Sequence, residues 1–153
     1  MSNKKMQDAI RLINKGRVRE GKKALEKLNR KTPNDYDILY YLGIAQTKLG
    51  ELKSAEKNLK KCIHINPNAS GDHAALGDVY KEKGENKLAE FCYKVALMLE
   101  PENPYNNHRL GSLYRRLNDT DKTIYYYAET FKYMANKTDF FSDILLLVDE
   151  NMI

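Results

Sequence analysis

The sequence predicts an all-α fold, an α-solenoid in which antiparallel helix pairs stack one on another. Three observations support this. A spacing of 34 residues recurs in several residue types, apolar residues within each period lie three and four apart, and glycine or asparagine falls where one helix must turn into the next. The recurring positions are Pro33, Pro67 and Pro101; Gly16, Gly50, Gly84 and Asn118; and Ala9, Gly43, Gly77 and Gly111. Because copied units bury their apolar faces against one another, we expect function to reside in a surface.

Length and composition are typical of one compact helical domain. A chain of 153 residues can bury roughly 70% of its unfolded surface, enough for a single core. The opening residues 1–5 are polar and basic, and no apolar run is long enough to cross a bilayer, so we expect neither a cleaved signal nor membrane insertion. Cys62 and Cys92 fall inside predicted helices, where a free cysteine usually behaves as a small buried apolar residue, so we expect no disulfide. These features predict a cytoplasmic protein.

The net charge of +5 is unevenly distributed along the chain. Residues 1–33 carry eleven Lys and Arg against three Asp and Glu, whereas residues 138–153 carry four acidic residues and no Lys or Arg. Such a gradient can steer acidic partners or nucleic acid toward the first unit. Lysines on solvated helix faces are the commoner explanation, so nucleic acid is not the expected partner.

The second period, residues 34–67, shows the helix pair most clearly. Apolar residues at helical spacing run from Asp35 to Leu49 and again from Leu52 to Ile65. Gly50 falls between them, where the chain reverses and needs a left-handed backbone conformation that glycine adopts easily. Asparagine is the usual substitute in that conformation, so Asn118 predicts the same turn in the fourth period.

Glycine also recurs in the middle of the first helix of three pairs. Each glycine there costs about 1 kcal/mol relative to alanine, so three at one phase predict that another helix passes very close. The glycines are Gly43, Gly77 and Gly111, and the bulky residues expected to pack near them on the second helix are Leu59, Tyr93 and Tyr127. Pro67 and Pro101 then disfavour helical geometry in the preceding residue and close their units.

These motifs resemble those of the tetratricopeptide repeat family. The second and third units carry them most fully, at Leu39, Leu42, Gly43, Ala55, Leu59 and Pro67, and at Leu76, Gly77, Tyr80, Ala89, Tyr93, Ala96 and Pro101. The fourth unit keeps Leu110, Gly111, Tyr114 and Tyr127 but has Thr123 and Thr130 in place of alanines, and it lacks the closing proline at Ala135. The first unit keeps Ala9, Leu12, Gly16 and Pro33 but has Asp8 in place of a leucine and Gly21 in place of an alanine.

The resemblance implies a right-handed superhelix and a function in binding protein segments. The repeats expected within one domain are residues 2–33, which are divergent, 34–67, 68–101, and 102–137, which are degenerate. If the pairs stack as in this family, the first helix of each pair lines a concave groove. The residues expected to line it are Tyr40, Tyr41, Ile44, Lys48, Asp78, Lys81, Tyr105, His108, Arg109, Ser112, Arg115 and Arg116. Tyrosines and arginines in such a groove suit an acidic segment with apolar anchors.

Residues 138–153 do not fit the repeat but have helical apolar spacing, with Thr138 or Asp139 as a cap. The broad apolar face comprises Phe140, Phe141, Ile144, Leu145 and Val148. We expect a capping helix that buries the end of the fourth unit. The alternative is a docking face for another chain, or a homodimer contact.

The sequence offers little for catalysis. His64, His73 and His108 lie on different predicted helices, no cysteine pair has metal-ligand spacing, and no phosphate-binding loop is present. We therefore predict no catalytic residue, no metal site and no cofactor. The predicted function is a non-enzymatic adaptor that binds a peptide or helix of a partner protein. The alternatives are a chaperone of this family for an exported protein and a regulatory segment of a larger enzyme.

Overall fold

The computed structural model describes residues 2–134 as a succession of antiparallel helix pairs, which confirms the predicted all-α solenoid. The helices are α1 (Ser2–Asn14), α2 (Val18–Lys31), α3 (Tyr36–Lys48), α4 (Leu52–Ile65), α5 (Ser70–Lys83), α6 (Asn86–Leu99), α7 (Pro104–Arg116) and α8 (Thr120–Tyr133). Each helix packs against the next in sequence, and α3, α5 and α7 also contact one another in turn. The predicted helix at 138–153 lies outside the described residues, as do residues 135–137 of the fourth unit. None of the described helices is both long and apolar enough to span a membrane.

The turns within the pairs confirm the prediction from glycine and asparagine. Gly50 has a φ of 78° and Asn118 has a φ of 60°, so both adopt the left-handed conformation. Behind Gly50, the Glu51 amide donates to the Gln46 carbonyl at 2.8 Å, and behind Asn118 the Asp119 amide donates to the Tyr114 carbonyl at 2.9 Å. The same turn is therefore made by two different residue types.

The glycines in mid-helix are required by close contact between paired helices. A Cβ atom at Gly43 would lie 2.6 Å from Cγ of Leu59, and one at Gly77 would lie 2.5 Å from Cε1 of Tyr93. A Cβ atom at Gly111 would meet the ring of Tyr127 at a similarly short distance. Real Cβ contacts are never this short, so any larger residue would force the helices apart. The predicted fit of glycine against Leu59, Tyr93 and Tyr127 is confirmed.

Three of the four core tyrosines, Tyr80, Tyr93 and Tyr114, donate hydrogen bonds from their hydroxyl groups to carboxylates. Tyr80, Tyr93, Tyr114 and Tyr127 are 7% exposed or less, as predicted for core residues. The hydroxyl of Tyr80 donates to Glu56 at 3.0 Å, and that of Tyr114 donates to Glu90 at 2.8 Å. Each of these two bonds joins one unit to the next, because the tyrosine lies on the first helix of the later unit.

The departures from the family pattern have structural explanations. Asp8 corresponds in the 34-residue period to Leu42, which is buried against α2. Within residues 2–134 no helix packs on that face of α1, and Asp8 is exposed and pairs with Arg11 at 3.0 Å. Thr123 and Thr130 are fully buried, and their hydroxyl groups donate to backbone carbonyls one turn earlier at 2.7 and 2.9 Å.

Both cysteines are buried and unbridged, as expected. Burial raises the pKa of the Cys62 thiol to about 12. It also raises the pKa of Cys92 to about 11, with the charge of Lys60 acting in the opposite direction. Neither thiol is ionised near neutral pH, so both behave as small apolar side chains.

Candidate functional site: the concave groove

The first helices of units two, three and four form a groove with two adjoining cavities. The larger cavity, on α3, α5 and α7, has a volume of about 550 Å³ and is lined by Ile44, Thr47, Lys48, Ala75, Asp78, Lys81, Glu82, Tyr105, His108, Arg109 and Ser112. The smaller one, of about 370 Å³, is lined by Lys81, Glu82, Ser112, Arg115 and Arg116. The two share three residues and so form one continuous concave surface.

The structure brings together ten of the twelve residues that the sequence singled out for this groove. Those in the lining are Ile44, Lys48, Asp78, Lys81, Tyr105, His108, Arg109, Ser112, Arg115 and Arg116. They come from α3, α5 and α7, which are the first helices of three successive units. Equivalent positions on these helices are 34 residues apart, so these residues lie on the same face of each helix. Thr47 and Glu82 complete the lining together with Ala75. Thr47 takes the same repeat position as Lys81 and Arg115, so its place in the groove lining could have been inferred from the sequence.

Tyr40 and Tyr41 are placed differently from the other ten residues. Both are half-buried, and their rings meet edge to face at a centroid distance of 5.1 Å. Tyr40 packs against the core of units two to four and Tyr41 against the core of units one and two. Burial raises the pKa of Tyr40. The pair thus lies where the two apolar clusters meet.

Asp78 organises the centre of the groove. It accepts a hydrogen bond from the hydroxyl of Tyr93 at 2.6 Å and pairs with Nε of Arg109 at 3.3 Å. Tyr93 is fully buried on α6, and burial raises its pKa. Asp78 therefore links a core tyrosine to a groove arginine. Nε–H is one of five guanidinium donors, so Arg109 retains other donors with which to pair a ligand carboxylate.

The groove has an excess of positive charge toward the fourth unit. Arg116 donates to the backbone carbonyl of Lys81 at 2.9 Å, which ties α7 to the end of α5. Arg115 is exposed beside it. Together the two cavities present five cationic side chains and two carboxylates. Guanidinium and ammonium groups of this kind can pair with carboxylates through charge-assisted hydrogen bonds.

The apolar contacts in the groove are few and local. Tyr105 is 55% exposed at the start of α7, and Ile44 and Ala75 contribute smaller apolar surfaces from α3 and α5. A tyrosine supplies contact area with little loss of conformational entropy on binding. The groove can thus anchor an apolar side chain beside its charged residues.

A buried polar contact between units was missed at the sequence level. Asp72 on α5 is 1% exposed and accepts a hydrogen bond from the hydroxyl of Tyr36 on α3 at 2.7 Å. Burial raises the pKa of Asp72, and the Tyr36 bond opposes that rise. Asn106 takes the same repeat position in unit four and donates to the Ala96 carbonyl at 3.1 Å. The sequence did contain a signal for these contacts, because Asp72 and Asn106 are polar at the repeat position that Ile38 takes in unit two.

Comparisons with known proteins agree with this geometry. Two family models, both described as tetratricopeptide repeats, match residues 37–69 and 73–103. No curated protein matches the sequence. Among solved structures, MamA residues 41 to the end from Desulfovibrio magneticus RS-1 is similar with a TM-score of 0.74 and 20% identity, covering 87% of this chain and 75% of that one. TTC0263, a thermophilic TPR protein of Thermus thermophilus, is similar with a TM-score of 0.62 and 21% identity, covering 97% and 99%. Residues 37–69 and 73–103 are thus tetratricopeptide repeats, and the described array has the tetratricopeptide repeat fold.

Proposed function

We propose that this protein-interaction module, which is not an enzyme, holds an acidic peptide or helix of a partner protein in the concave groove. The observation that supports the proposal best is the convergence of cationic side chains from α3, α5 and α7 on one concave surface. An exposed tyrosine, Tyr105, stands in the same cavity. The family as a whole is an interaction fold, which favours a protein ligand over a small substrate.

The size of the groove suits a short segment rather than a whole domain. Cavities of roughly 300 to 1,000 Å³ are typical of sites for small ligands or a few side chains, and the larger cavity here has about 550 Å³. A segment lying across both cavities would meet Tyr105 with an apolar side chain. Its carboxylates would meet Arg109, Arg115 and Lys48.

Binding of carboxylates would be graded along the groove. Arg109 is already oriented by Asp78, so it offers a preorganised donor and loses little side-chain freedom on binding. Arg115 and Lys48 are less constrained and would be ordered by the ligand. We therefore expect Arg109 to fix the position of the segment, and the other two cations to accelerate its association.

The test compares partners captured from source cells by the wild-type chain and by two variants. Tyr105→Ser with Arg115→Ser removes an apolar anchor and a cation from the groove, and neither side chain is buried. Lys57→Ser with Lys61→Ser on α4 is a matched control outside the groove lining. Partners lost from the groove variant and kept by the control would support the proposal. The same partners at the same level in all three samples would contradict it.

The two alternative functions differ from this one in the kind of partner, in oligomeric state and in the sequence that adjoins the chain. A chaperone for an exported protein would co-purify with one aggregation-prone partner and would dimerise, whereas an adaptor would bind a short segment as a monomer. A regulatory segment of a larger enzyme would be followed by catalytic sequence in the gene. Sedimentation of the full chain and inspection of the adjoining reading frame separate these three possibilities.

A further inference from the structure

The outer face of α6 carries an exposed apolar stripe that lies outside the groove. Leu88 is 45% exposed, Phe91 66% and Met98 79%, and Val95 lies between the last two with partial exposure. Their spacing of three, four and three residues places them along one side of the helix. A row of this kind is the pattern by which one helix packs against another.

The repeat itself does not require this stripe. At the four corresponding positions, the other second helices carry Glu20, Lys23, Lys27 and Arg30; Ser54, Lys57, Lys61 and His64; and Lys122, Tyr125, Glu129 and Lys132. Only one of these twelve residues, Tyr125, has a large apolar surface. The outer face of a solenoid helix is polar elsewhere in this chain, so the apolar row on α6 is a local property of that helix.

Two lysines of α4, the second helix of the preceding unit, lie on the side of that helix that faces the third unit. Lys60 pairs with Glu56 at 2.9 Å, and Glu56 accepts a hydrogen bond from Tyr80 of the third unit. Lys60 therefore lies on the side of α4 that faces the third unit. The charge of Lys60 also acts to lower the pKa of the Cys92 thiol on α6, against the larger effect of burial. Cys92 is one helical turn from Leu88. Lys53 has the same phase as Lys60 two turns earlier and is exposed.

Lysines also border the opposite side of the stripe. Lys94 pairs with Glu90 at 2.7 Å, and Glu90 accepts a hydrogen bond from Tyr114 of the fourth unit. Lys94 thus lies on the side of α6 that faces unit four. Lys87 is exposed two turns earlier on the same side. Lysine edges therefore lie on both sides of the apolar row, with Lys60 and Lys94 in ion pairs with Glu56 and Glu90, and Lys53 and Lys87 exposed.

We propose that the outer face of α6 is a second docking surface, which binds an acidic amphipathic helix of a partner protein. The apolar side of such a helix would cover Phe91 and Met98, and its carboxylates would lie along both lysine edges. A second copy of this chain fits less well. It would bring its own Lys87 and Lys94 against the same lysines, and like charges at an interface are repulsive.

The experiment selects ligands from a displayed library of short helical peptides, about the length of α6, with the full chain as bait. Every library member carries leucine at three-and-four spacing, and the flanking positions vary among Glu, Lys, Gln and Ser. Peptides are selected on the wild-type chain and counter-selected on Phe91→Ser with Met98→Ser. Both side chains are mostly exposed, so this variant is expected to fold. Tyr125→Ser, at the phase of Phe91 on α8, is the matched control.

The expected result is enrichment of glutamate at the flanking positions, with binding kept by Tyr125→Ser. Fluorescence anisotropy with the most enriched peptide should show an affinity at least about tenfold weaker for Phe91→Ser with Met98→Ser. Lys87→Glu with Lys94→Glu should weaken it by a similar factor and remove most of its salt dependence.

Four results would overturn the proposal. The first is no enrichment, and the second is lysine or neutral residues at the flanks. The third is binding that does not depend on Phe91 and Met98. The fourth is a different occupant, shown either by a dimer in sedimentation that Phe91→Ser abolishes or by flotation of the full chain with phosphatidylserine vesicles that the same change abolishes.

Discussion

The hydroxyl group of Tyr93, on the buried side of α6, donates a hydrogen bond to the groove carboxylate of Asp78 on α5 at 2.6 Å. The ring of the same tyrosine occupies the space that a side chain at Gly77 would fill. One core residue therefore sets both the spacing of the two helices and the orientation of a groove carboxylate. Packing and the candidate site are joined at this point.

Tyr93→Phe tests the hydrogen bond without changing the packing of the ring. A hydrogen bond to a charged group contributes about 1.5 to 3 kcal/mol, so we expect a loss of that order in the free energy of unfolding, measured with urea. Tyr125→Phe is the control, since Tyr125 is 58% exposed. Equal stability of the two variants would show that the Asp78 bond contributes nothing.

Gly77→Ala tests the close approach of α5 and α6. A Cβ at this position would lie 2.5 Å from the Tyr93 ring, so the helices must separate, and overpacking of this kind typically costs about 1 to 3 kcal/mol. We expect a lower urea midpoint with an unchanged m-value.

Gly71→Ala is the matched control on the same helix. There the added carbon would lie 3.4 Å from the hydroxyl oxygen of Tyr40, which is an ordinary contact. Alanine is the better helix former, so this variant should be as stable as the wild type or more stable. If Gly77→Ala were also neutral, the glycine would not be required by packing.

Because of the ion pairs of Glu56, we expect the protein to lose stability in acid. Its carboxylate is held by Lys83 and Lys60, each at 2.9 Å, and by Tyr80. These contacts, Lys83 first and then Lys60, lower its pKa from 4.5 to about 2. A carboxyl group with a lowered pKa in the folded state stabilises the protein above its ordinary pKa of 4.5, and that contribution is lost as the pH falls toward about 2.

The measurement is urea denaturation at a series of pH values from near neutral down to the lowered pKa of Glu56. Glu56→Gln should be less stable than the wild type near neutral pH, and the difference should shrink as the pH falls. Glu102→Gln, which removes an exposed carboxylate, is the control and should be about as stable as the wild type. A stability difference for Glu56→Gln that stayed constant over the whole series would rule out the ion pairs as its cause.

Ile124 offers a test of the capping helix that the sequence predicts at residues 138–153. It takes the repeat position of Glu56 and Glu90, which accept hydrogen bonds from Tyr80 and Tyr114 of the following unit. One period after Tyr114 the sequence has Val148. An isoleucine and a valine replace the carboxylate and the tyrosine together, so a capping helix that continued the repeat would pair Val148 with Ile124.

Ile124 is 42% exposed, and surface substitutions usually change stability by no more than about 0.5 kcal/mol. A loss of about 1 to 3 kcal/mol on Ile124→Glu would therefore show that this side chain lies in an apolar contact. Adding Val148→Tyr should restore part of this loss by recreating the tyrosine–carboxylate pair, as a double-mutant cycle would show. Additive effects would place residue 148 elsewhere. Leu145→Glu, followed by sedimentation, tests the alternative of a homodimer contact on the same segment.

Features that depend on a few neighbouring residues could be predicted from the sequence. The turns at Gly50 and Asn118 follow from the left-handed backbone that they need, and the contact of Gly77 with Tyr93 follows from a glycine in mid-helix. The groove lining was largely predictable too, since a helix phase repeated every 34 residues keeps the same face toward the concavity.

Contacts between units were harder to predict because they depend on how far each unit rotates relative to the last. The bond from Tyr36 to Asp72 spans 36 residues and joins α3 to α5. The packing of Tyr40 and Tyr41 between two apolar clusters likewise reflects the meeting of several units. A period specifies which residues are equivalent, and it leaves open which of them touch.

The exposed pair of Asp8 and Arg11 has a consequence for how such a chain can lengthen. A duplicated unit inserted ahead of α1 would bury Asp8 where Leu42 is buried between units two and one. A unit duplicated between the second and third would meet Leu76, which is already buried among residues of the second unit. A unit added inside the array would therefore need no change at Asp8, whereas one packed on this face of α1 would have to accommodate a carboxylate.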